Sequence, residues 1–391
     1  MPALDGLRIL DLTRILAGPT CTQLLGDLGA DVIKIERPDH GDDTRAWGPP
    51  FVKDDDGADT SESAYYLCAN RNKRSVAIDL ASAEGADLVR RLAARSDVLI
   101  ENFKVGTLGR YGLGYDDLKD DLPELVYCSI TGFGQTGPNA HRAGYDLLAQ
   151  GYGGIMSLTG EPDGEPMKVG VGIADIVCGM YASTAILAAL RHRDRTGNGQ
   201  HIDLALVDTQ MAWLVNEGTN YLTSGEVPRR RGNEHPNIVP YGVFETADGH
   251  VIVAVGNDAQ YERFCELLGA PELASDQRYR TNAGRLAHRD ELVAELSRRV
   301  RKLSSADVLG GLEARGVPGG PIHDLEQALA SDQARARRMT IDMPHPLAGS
   351  GNVTMVANPI RMSETPVAYR RSPPVCGADT DEVIAELLGD D

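Results

Sequence analysis

The chain has 391 residues, more than one compact hydrophobic core usually supports, and this length predicts two domains. Its composition, 42% hydrophobic and 25% charged, is typical of a folded globular protein and excludes a disordered one. The net charge of −18 argues against nucleic acid and membrane surfaces as partners, because both are anionic. The same charge also fits solubility alone, and an anionic substrate would need a locally positive pocket.

The first half of the chain alternates strand-like and helix-like segments. Short aliphatic runs predict strands at Leu7–Leu12, Asp31–Glu36, Val76–Asp79, Asp97–Asn102 and Leu125–Thr131. Helical patterns lie between them, at Pro19–Gly29, Ser82–Ala94 and Leu108–Asp120. This order predicts an α/β protein with a parallel sheet covered on both faces.

The character of the sequence changes after about Gly225. Tyr241–Thr246 and Val251–Val255 flank an Asp248-Gly249 turn, which predicts a hairpin, and His288–Leu303 predicts an amphipathic helix. The last segment is again strand-like and then helical, so it is expected to return to the first domain. We therefore predict a large Rossmann-like domain over residues 1–220 and 325–391, and a smaller α+β domain over residues 225–320.

The start of the chain, Met1–Leu12, lacks a basic segment followed by an apolar one, so no secretion signal is expected. No unbroken apolar run approaches the ~20 residues that span a bilayer. The six cysteines are scattered, without a C-x-x-C pair or clustered histidines. We therefore expect a cytoplasmic protein with no metal site and no disulfide framework.

The opening strand-to-helix turn, Thr13–Pro19, is where a dinucleotide-binding protein places G-x-G-x-x-G. Only one glycine, Gly18, is present, so a nicotinamide cofactor is not favoured despite an acid, Glu36, at the end of the second strand. A second glycine-rich loop, Gly132–Pro138, follows a predicted strand and leads to Arg142–Asp146. It fits either a ligand loop at the carboxyl edge of the sheet or an ordinary tight turn.

Asp175 is the most informative single residue. It follows a glycine-rich lead-in with Gly170 and Gly172, and an almost wholly apolar stretch comes after it, the pattern of a buried helix. Backbone N–H groups at a helix start stabilise a carboxylate, so Asp175 fits a simple capping residue. Carboxylates also serve as covalent nucleophiles, and the spacing alone leaves both interpretations open.

Six separated blocks together resemble the class III (CaiB/BaiF) CoA-transferase family: Asp11–Pro19, Gly26–Pro38, Gly41–Arg45, Asn72–Ser75, Glu101–Phe103 and Ile173–Asp175. The resemblance implies a large Rossmann-like domain plus a small domain, in a homodimer whose two chains interlock. It also implies that Asp175 is the nucleophile. Coenzyme A thioesters and small carboxylic acids are then the substrates, and no cofactor is permanently bound.

The resemblance carries further roles onto individual positions. The positions that match the family's CoA contacts are Ile15, Ala17, Arg37, Ile78, Asn102, Phe103 and Arg110. Tyr145 and Asp146 match the pair beside the nucleophile and are grouped with these contacts. Trp47 and Tyr65 match aromatic residues that line the substrate pocket.

Tyr145 separates two branches of the family. Members that racemise 2-methylacyl-CoA esters carry a histidine at this position, and a tyrosine of pKa near ~10 is a poor base at neutral pH. Transfer is therefore favoured over the alternative, a racemase-type isomerase. A non-catalytic CoA-binding protein is disfavoured because Asp175 is present.

Two stretches, residues 41–50 and 230–241, resemble the dicarboxylate branch of the family, typified by succinyl-CoA:glutarate CoA-transferase. The implied reaction moves CoA from succinyl-CoA to a dicarboxylic acid through an aspartyl anhydride and an aspartyl-CoA thioester. The second carboxylate of the acceptor needs cations, and Arg45 and His235 are predicted to bind it, with Arg142 as a further candidate. The alternative for Arg45 is a surface ion pair with Asp42 or Asp43.

Overall fold

The computed structural model of the protein describes residues 1–389. Its strands are β1 (Arg8–Asp11), β2 (Asp31–Glu36), β3 (Phe51–Lys53), β4 (Asp59–Ser63), β5 (Lys73–Ala77), β6 (Val98–Glu101), β7 (Val126–Thr131), β8 (His201–Ala205), β9 (Tyr241–Glu245), β10 (His250–Ala254), β11 (Gly319–Pro321), β12 (Thr340–Pro344) and β13 (Asn352–Val356). Its α-helices are α1 (Ala17–Asp27), α2 (Ala64–Leu67), α3 (Ala83–Ala93), α4 (Tyr115–Leu118), α5 (Asp146–Tyr152), α6 (Ile173–Thr196), α7 (Leu206–Ala212), α8 (Val215–Ser224), α9 (Asp258–Leu267), α10 (Pro271–Ser275), α11 (Asn282–Ala287), α12 (Arg289–Val300), α13 (Ser305–Ala314), α14 (Leu325–Ala330), α15 (Asp332–Ala336) and α16 (Thr380–Leu388). Three 3₁₀ turns lie at Asp43–Ala46, Leu108–Tyr111 and Ile155–Ser157.

The chain divides into two compact units. The larger comprises residues 1–157, 168–228 and 333–391, and the smaller comprises residues 158–167 and 229–332. The predicted boundaries left residues 158–167 and 325–332 in the large domain, whereas the structure assigns both segments to the smaller unit. Arg230 contributes to the attachment of the first segment, because its guanidinium donates to the backbone oxygens of Glu161 and Gly164.

The larger unit is built on a six-stranded sheet in the order β5-β2-β1-β6-β7-β8, and every neighbouring pair is parallel. The predicted α/β class is therefore confirmed. Successive residues of β1 face opposite sides of the sheet: Ile9 packs with α1 and α6, and Leu10 packs with α3 and α16. The edge strand β8 was not predicted, because its sequence includes His201 and Asp203 and is not an aliphatic run.

Helix α6 is the longest helix of the described chain, at 24 residues. By length and composition, α6 is long and apolar enough to cross a membrane, although its sequence is not an unbroken apolar run. Ala174, Cys178, Ala182 and Ile186 recur at helical spacing and are fully buried in the core against the sheet. This is the packing of a core helix, and it holds the start of α6 at the carboxyl edge of the sheet.

One predicted helix of the larger unit is wrong. The stretch predicted as a single helix over Leu108–Asp120 is a 3₁₀ turn followed by the short α4. Gly112 between them has φ of +67°, a left-handed conformation that ends a helix.

The smaller unit contains a three-stranded antiparallel sheet in the order β11-β10-β9. The predicted hairpin is confirmed, with His250 paired to Glu245 beside the Asp248-Gly249 turn. Helices α9, α12 and α13 contribute to its separate core, in which Phe244 and Phe264 meet edge to face. The predicted helix over His288–Leu303 is observed as α12, shorter at both ends.

Candidate active site

A cavity of about 470 Å³ opens in the larger unit where β1, β6 and β7 end. Since the strands are parallel, the segments that follow them meet at one edge of the sheet. These segments, together with the starts of α6 and α7, supply the lining side chains: Arg14, Ile15, Leu16, Ala17, Asp43, Trp47, Asn102, Phe103, Lys104, Val105, Arg142, Tyr145, Asp175 and Leu206. Asp175 is the buried carboxylate of this cavity.

Asp175 lies in the first turn of α6, two residues after the helix begins at Ile173. Burial, and after it the negative charge of Asp146, raises the pKa of Asp175 to about 7. No cation contributes to this pKa in the part of the chain that the structure describes. An ionised Asp175 is therefore a poorly solvated carboxylate, which is a more reactive nucleophile than a hydrated one.

Asp146 caps α6 from the neighbouring helix α5. Its Oδ1 accepts the backbone N–H of Ala174 at 2.8 Å and approaches the N–H of Asp175 at 3.4 Å. The N-cap residue of α6 is Gly172, which has no side chain to do this. The two aspartates thus face the same helix start.

The loop after β1 is held over the cavity by a reciprocal pair of hydrogen bonds. Arg14 N–H donates to Asn102 Oδ1 at 3.0 Å, and Asn102 Nδ2 donates to the Arg14 carbonyl at 2.7 Å. Ile15, with φ of +71°, donates its N–H to the buried carboxylate of Asp42 at 3.2 Å. This left-handed residue turns the chain into α1 and exposes backbone to the cavity.

Three cationic side chains line the cavity: Arg14, Lys104 and Arg142. Arg14 pairs with Asp43 at 2.8 Å, and Arg142 stacks its guanidinium over Phe133 at 5.0 Å from the ring centroid. Of the three, only Arg142 was predicted as a substrate residue. Arg14 lies in the loop that follows β1, at the carboxyl edge of the sheet. This position is the signal that could have identified it as a residue of the cavity.

Arg45 has a different position from the one predicted. Its guanidinium is buried, with Nε and Nη2 donating to Glu36 at 2.9 and 2.7 Å and Nη1 donating to Glu62 at 2.7 Å. Nη2 also donates to Tyr66 Oη and to the Pro374 carbonyl, so each of the three guanidinium nitrogens has a hydrogen-bond partner. Arg45 is thus neither in the cavity nor in the surface pair with Asp42 or Asp43, and the expectation that it binds an acceptor carboxylate is corrected.

The predicted CoA contacts fall into two neighbouring cavities. Ile15, Ala17, Asn102 and Phe103 line the cavity of Asp175, and Tyr145 lines it as well. Arg37, Ile78 and again Phe103 line a smaller one of about 160 Å³. Arg110 is exposed and lines neither, but its guanidinium approaches Thr107, a lining residue of the smaller cavity.

One member of the predicted aromatic pair, Trp47, lies in the lining of the cavity, whereas Tyr65 is not among its lining residues. Trp47 meets Tyr65 edge to face, with ring centroids 5.2 Å apart. Burial, followed by the charge of Asp175, raises the pKa of Tyr65 to about 12, so this phenol stays protonated at neutral pH. The remaining predicted substrate residue, His235, belongs to the smaller unit, where its ring packs on Tyr241, and its role stays a prediction.

Two glycines shape the wall of the cavity. Gly132 ends the β7 segment and Gly144 precedes Tyr145, and their backbones are in direct contact. A Cβ atom on Gly132 would lie 2.4 Å from Gly144 Cα, and one on Gly144 would lie 2.1 Å from Gly132 Cα. The loop that carries Arg142 and Tyr145 is therefore pressed against the end of β7, whereas Gly134 and Gly137 have the positive φ values, +86° and +88°, that are typical of turn residues.

Open α/β enzymes bind their substrates at the carboxyl edge of the sheet, and the buried carboxylate of Asp175 lies at this edge. The chain belongs to CoA-transferase family III, whose family model matches residues 4–380. It is a class III CoA-transferase.

Similar proteins cover nearly the whole chain. It is 52% identical to a succinate–glutarate CoA-transferase of Agrobacterium fabrum, over 99% of this chain and 96% of that one. It is 44% identical to the succinyl-CoA:glutarate CoA-transferase of Mus musculus, over 99% of this chain and 87% of that one. The crystal structure of a CaiB/BaiF family protein from Brucella suis has a TM-score of 0.86 and 49% identity, with 99% of each chain covered.

Proposed function

We propose that the enzyme transfers coenzyme A from succinyl-CoA to a dicarboxylic acid of the glutarate type. The observation that carries this proposal is Asp175, a buried carboxylate without a cationic partner among residues 1–389, in a cavity that Arg14, Lys104 and Arg142 also line. The two relatives named for succinate and glutarate match almost the whole chain and support the same pair of substrates.

Asp175 is the proposed nucleophile, and the reaction proceeds in four acyl transfers. The Asp175 carboxylate attacks the thioester carbonyl of succinyl-CoA, which gives a mixed anhydride and the CoA thiolate. The thiolate attacks the aspartyl carbonyl of the anhydride, which releases succinate and leaves an aspartyl-CoA thioester. The acceptor carboxylate attacks this thioester and expels the thiolate, and the thiolate then attacks the acceptor carbonyl and frees Asp175.

Two features of the cavity fit this sequence. The thiolate and the acyl fragment must stay close between steps, and a confined site supplies that proximity. The cationic side chains that line the cavity, Arg14, Lys104 and Arg142, can offset the negative charge that develops on the tetrahedral intermediates. The CoA moiety is proposed to extend past Phe103, which lines both cavities, towards Arg37 and Arg110.

We propose that Arg142 and Arg14 bind the second carboxylate of the acceptor. Arg14 thus takes the role that was first expected of Arg45. An arginine offers a carboxylate two parallel hydrogen bonds, and both side chains line the cavity of Asp175. Arg14 is held by Asp43, so it is oriented before the substrate arrives.

We also propose that two chains form the interlocked homodimer that the family resemblance implies. Large apolar side chains of α5, α7 and α8 are exposed in the single chain, among them Leu147, Tyr152, Trp213, Tyr221 and Leu222. Exposed apolar side chains on three neighbouring helices are typical of an interface. Light scattering that gives the mass of one chain would contradict this part of the proposal.

The cytoplasm is the proposed compartment. All six cysteines are free thiols, which is the state that a reducing compartment maintains.

The test of the function compares glutarate with pentanoate, the acid of equal length that lacks the second carboxylate. With succinyl-CoA as donor, kcat/KM for glutarate should exceed that for pentanoate by about 100-fold or more, because a site built for a charged group rejects an acid without it. Arg142→Leu should lower this ratio, and the exposed Arg280→Leu of the smaller unit is the matched control. Equal kcat/KM for the two acids would refute the dicarboxylate site.

A further inference from the structure

Gln150 is a fully buried amide one helical turn after Asp146 on α5. Its Nε2 donates to Asp146 Oδ2 at 2.7 Å, and its Oε1 accepts the backbone N–H of Val169 at 2.9 Å. The two partners fix the orientation of the amide, because the carboxylate only accepts and the N–H only donates. Both polar ends of the Gln150 side chain are therefore hydrogen-bonded within the protein, and Gln150 does not line the cavity.

The two hydrogen bonds of Gln150 reach both ends of the segment that leads to the nucleophile. One end is Val169, which precedes the exposed Gly170. The other end is the start of α6, since Asp146 accepts the N–H of Ala174 through its other oxygen, Oδ1. One buried amide thus ties α5 to the glycine-rich lead-in on one side and, through Asp146, to the helix of Asp175 on the other.

The transfer reaction requires the carboxylate of Asp175 to have a well-defined position. The Asp175 carboxylate must meet a thioester, an anhydride and an acceptor acid in turn, and a displacement of about 1 Å costs about 100-fold in rate. Among residues 1–389, Asp146 is the charged group that raises the pKa of Asp175, after burial. Gln150 donates to Oδ2 of Asp146, and we expect the Asp146 carboxylate to move if this hydrogen bond is lost.

We propose that Gln150 is a positioning residue for CoA transfer, which holds Asp146 and the 169–174 segment so that Asp175 is aligned with the acyl carbonyl. This inference rests on the proposed role of Asp175 as nucleophile. Because Gln150 does not touch the cavity, its loss affects the chemical steps and leaves substrate affinity largely intact.

Two variants separate positioning from packing. Gln150→Leu keeps the volume and removes both hydrogen bonds, so kcat should fall about 10- to 100-fold while KM for succinyl-CoA changes less than about 3-fold. Gln150→Glu restores the pattern only when the new carboxyl is protonated, since its O–H then donates to Asp146 and its C=O accepts from Val169. Once ionised, it has no donor and repels Asp146.

The pH profile is the readout that a structural role would not change. The ratio of kcat for Gln150→Glu to that of the wild type should fall at least about 10-fold between about pH 6 and about pH 8.5, whereas the ratio for Gln150→Leu should stay flat. Gln210→Leu is the matched control, because Gln210 is also a buried glutamine of the larger unit and its Nε2 has no partner within residues 1–389. Its kcat and its pH profile should both follow the wild type.

Trapping with hydroxylamine in the same preparations distinguishes a failure of the proposed nucleophile, Asp175, from a failure of the proposed role of Gln150. If the wild type with succinyl-CoA gives no modified Asp175, the proposed function itself fails. If the wild type is modified, but Gln150→Leu keeps wild-type kcat or the Gln150→Glu ratio does not change with pH, the positioning role of Gln150 is overturned.

Discussion

Two buried carboxylates of the larger unit, Asp42 and Asp175, have opposite electrostatic surroundings. Burial alone would raise the pKa of Asp42, but the charge of Lys34 at 2.9 Å and hydrogen bonds from Thr44 outweigh it and lower that pKa to about 2. Burial, and after it the charge of Asp146, raises the pKa of Asp175 to about 7, and no cation among residues 1–389 offsets this shift. The same residue type is thus permanently charged at one site and readily protonated at the other.

The difference shows how this fold separates structural charges from chemical ones. The network around Asp42 continues to Glu36 and Arg45, and each of these charges has an opposite partner within hydrogen-bond distance. Such pairs hold loops in place but are too well stabilised to react. A carboxylate that is buried without a cation keeps its reactivity because the protein leaves its charge uncompensated.

The largest expected effect comes from removing the uncompensated carboxylate. Asp175→Ala should lower the transfer rate at least about 1,000-fold, since the covalent route needs this oxygen nucleophile. Mass spectrometry after acyl-CoA and hydroxylamine should find the modified peptide around Asp175 in the wild type and not in the variant. Near-normal turnover by Asp175→Ala would contradict the mechanism.

Removing a compensating charge should instead affect stability. Arg45→Leu leaves Glu36 and Glu62 buried without their partner, and the free energy of unfolding should fall by about 3–5 kcal/mol. Arg142→Leu, at an exposed arginine of the same unit, should change it by less than about 0.5 kcal/mol. Urea denaturation measures both, and equal effects of the two substitutions would show that the Arg45 network is not a structural element.

The smallest expected effect is the loss of folding stability that the buried Asp175 causes, and this loss depends on pH. Folding raises the pKa of Asp175 from the ordinary value of 3.8 to about 7, so the folded state favours the protonated form and loses stability as pH rises between these values. Asp175→Asn should therefore raise Tm by at least about 2 °C at about pH 8, and the difference should shrink towards about pH 4. A gain in Tm that is independent of pH would mean that Asp175 is not protonated more readily in the folded state.

Most of the framework of the site could be predicted from local sequence. The aliphatic runs identified five of the six strands of the parallel sheet, and the glycine-rich lead-in to an apolar helix identified the place of Asp175 in its first turn. These features succeed because strand periodicity and helix starts are encoded within a few neighbouring residues.

The partners of Arg45 and Gln150 could not be predicted in this way. Local sequence offers Asp42 and Asp43 to Arg45, whereas the fold brings Glu36 from the end of β2 and Glu62 from β4. Gln150 meets Val169 only because α5 packs against α6. Such pairings depend on tertiary packing, which a local sequence pattern does not predict.

The contact between Gly132 and Gly144 bears on how this enzyme could change its substrate during evolution. The two backbones leave no room for a single methyl group, so the path of the chain at this wall is fixed. Substitutions at positions 142 and 145 change side chains on this wall and leave the fixed path of the chain in place. Under the proposed function, we therefore expect a change of acceptor acid at this wall to be compatible with point substitutions and a constant loop length.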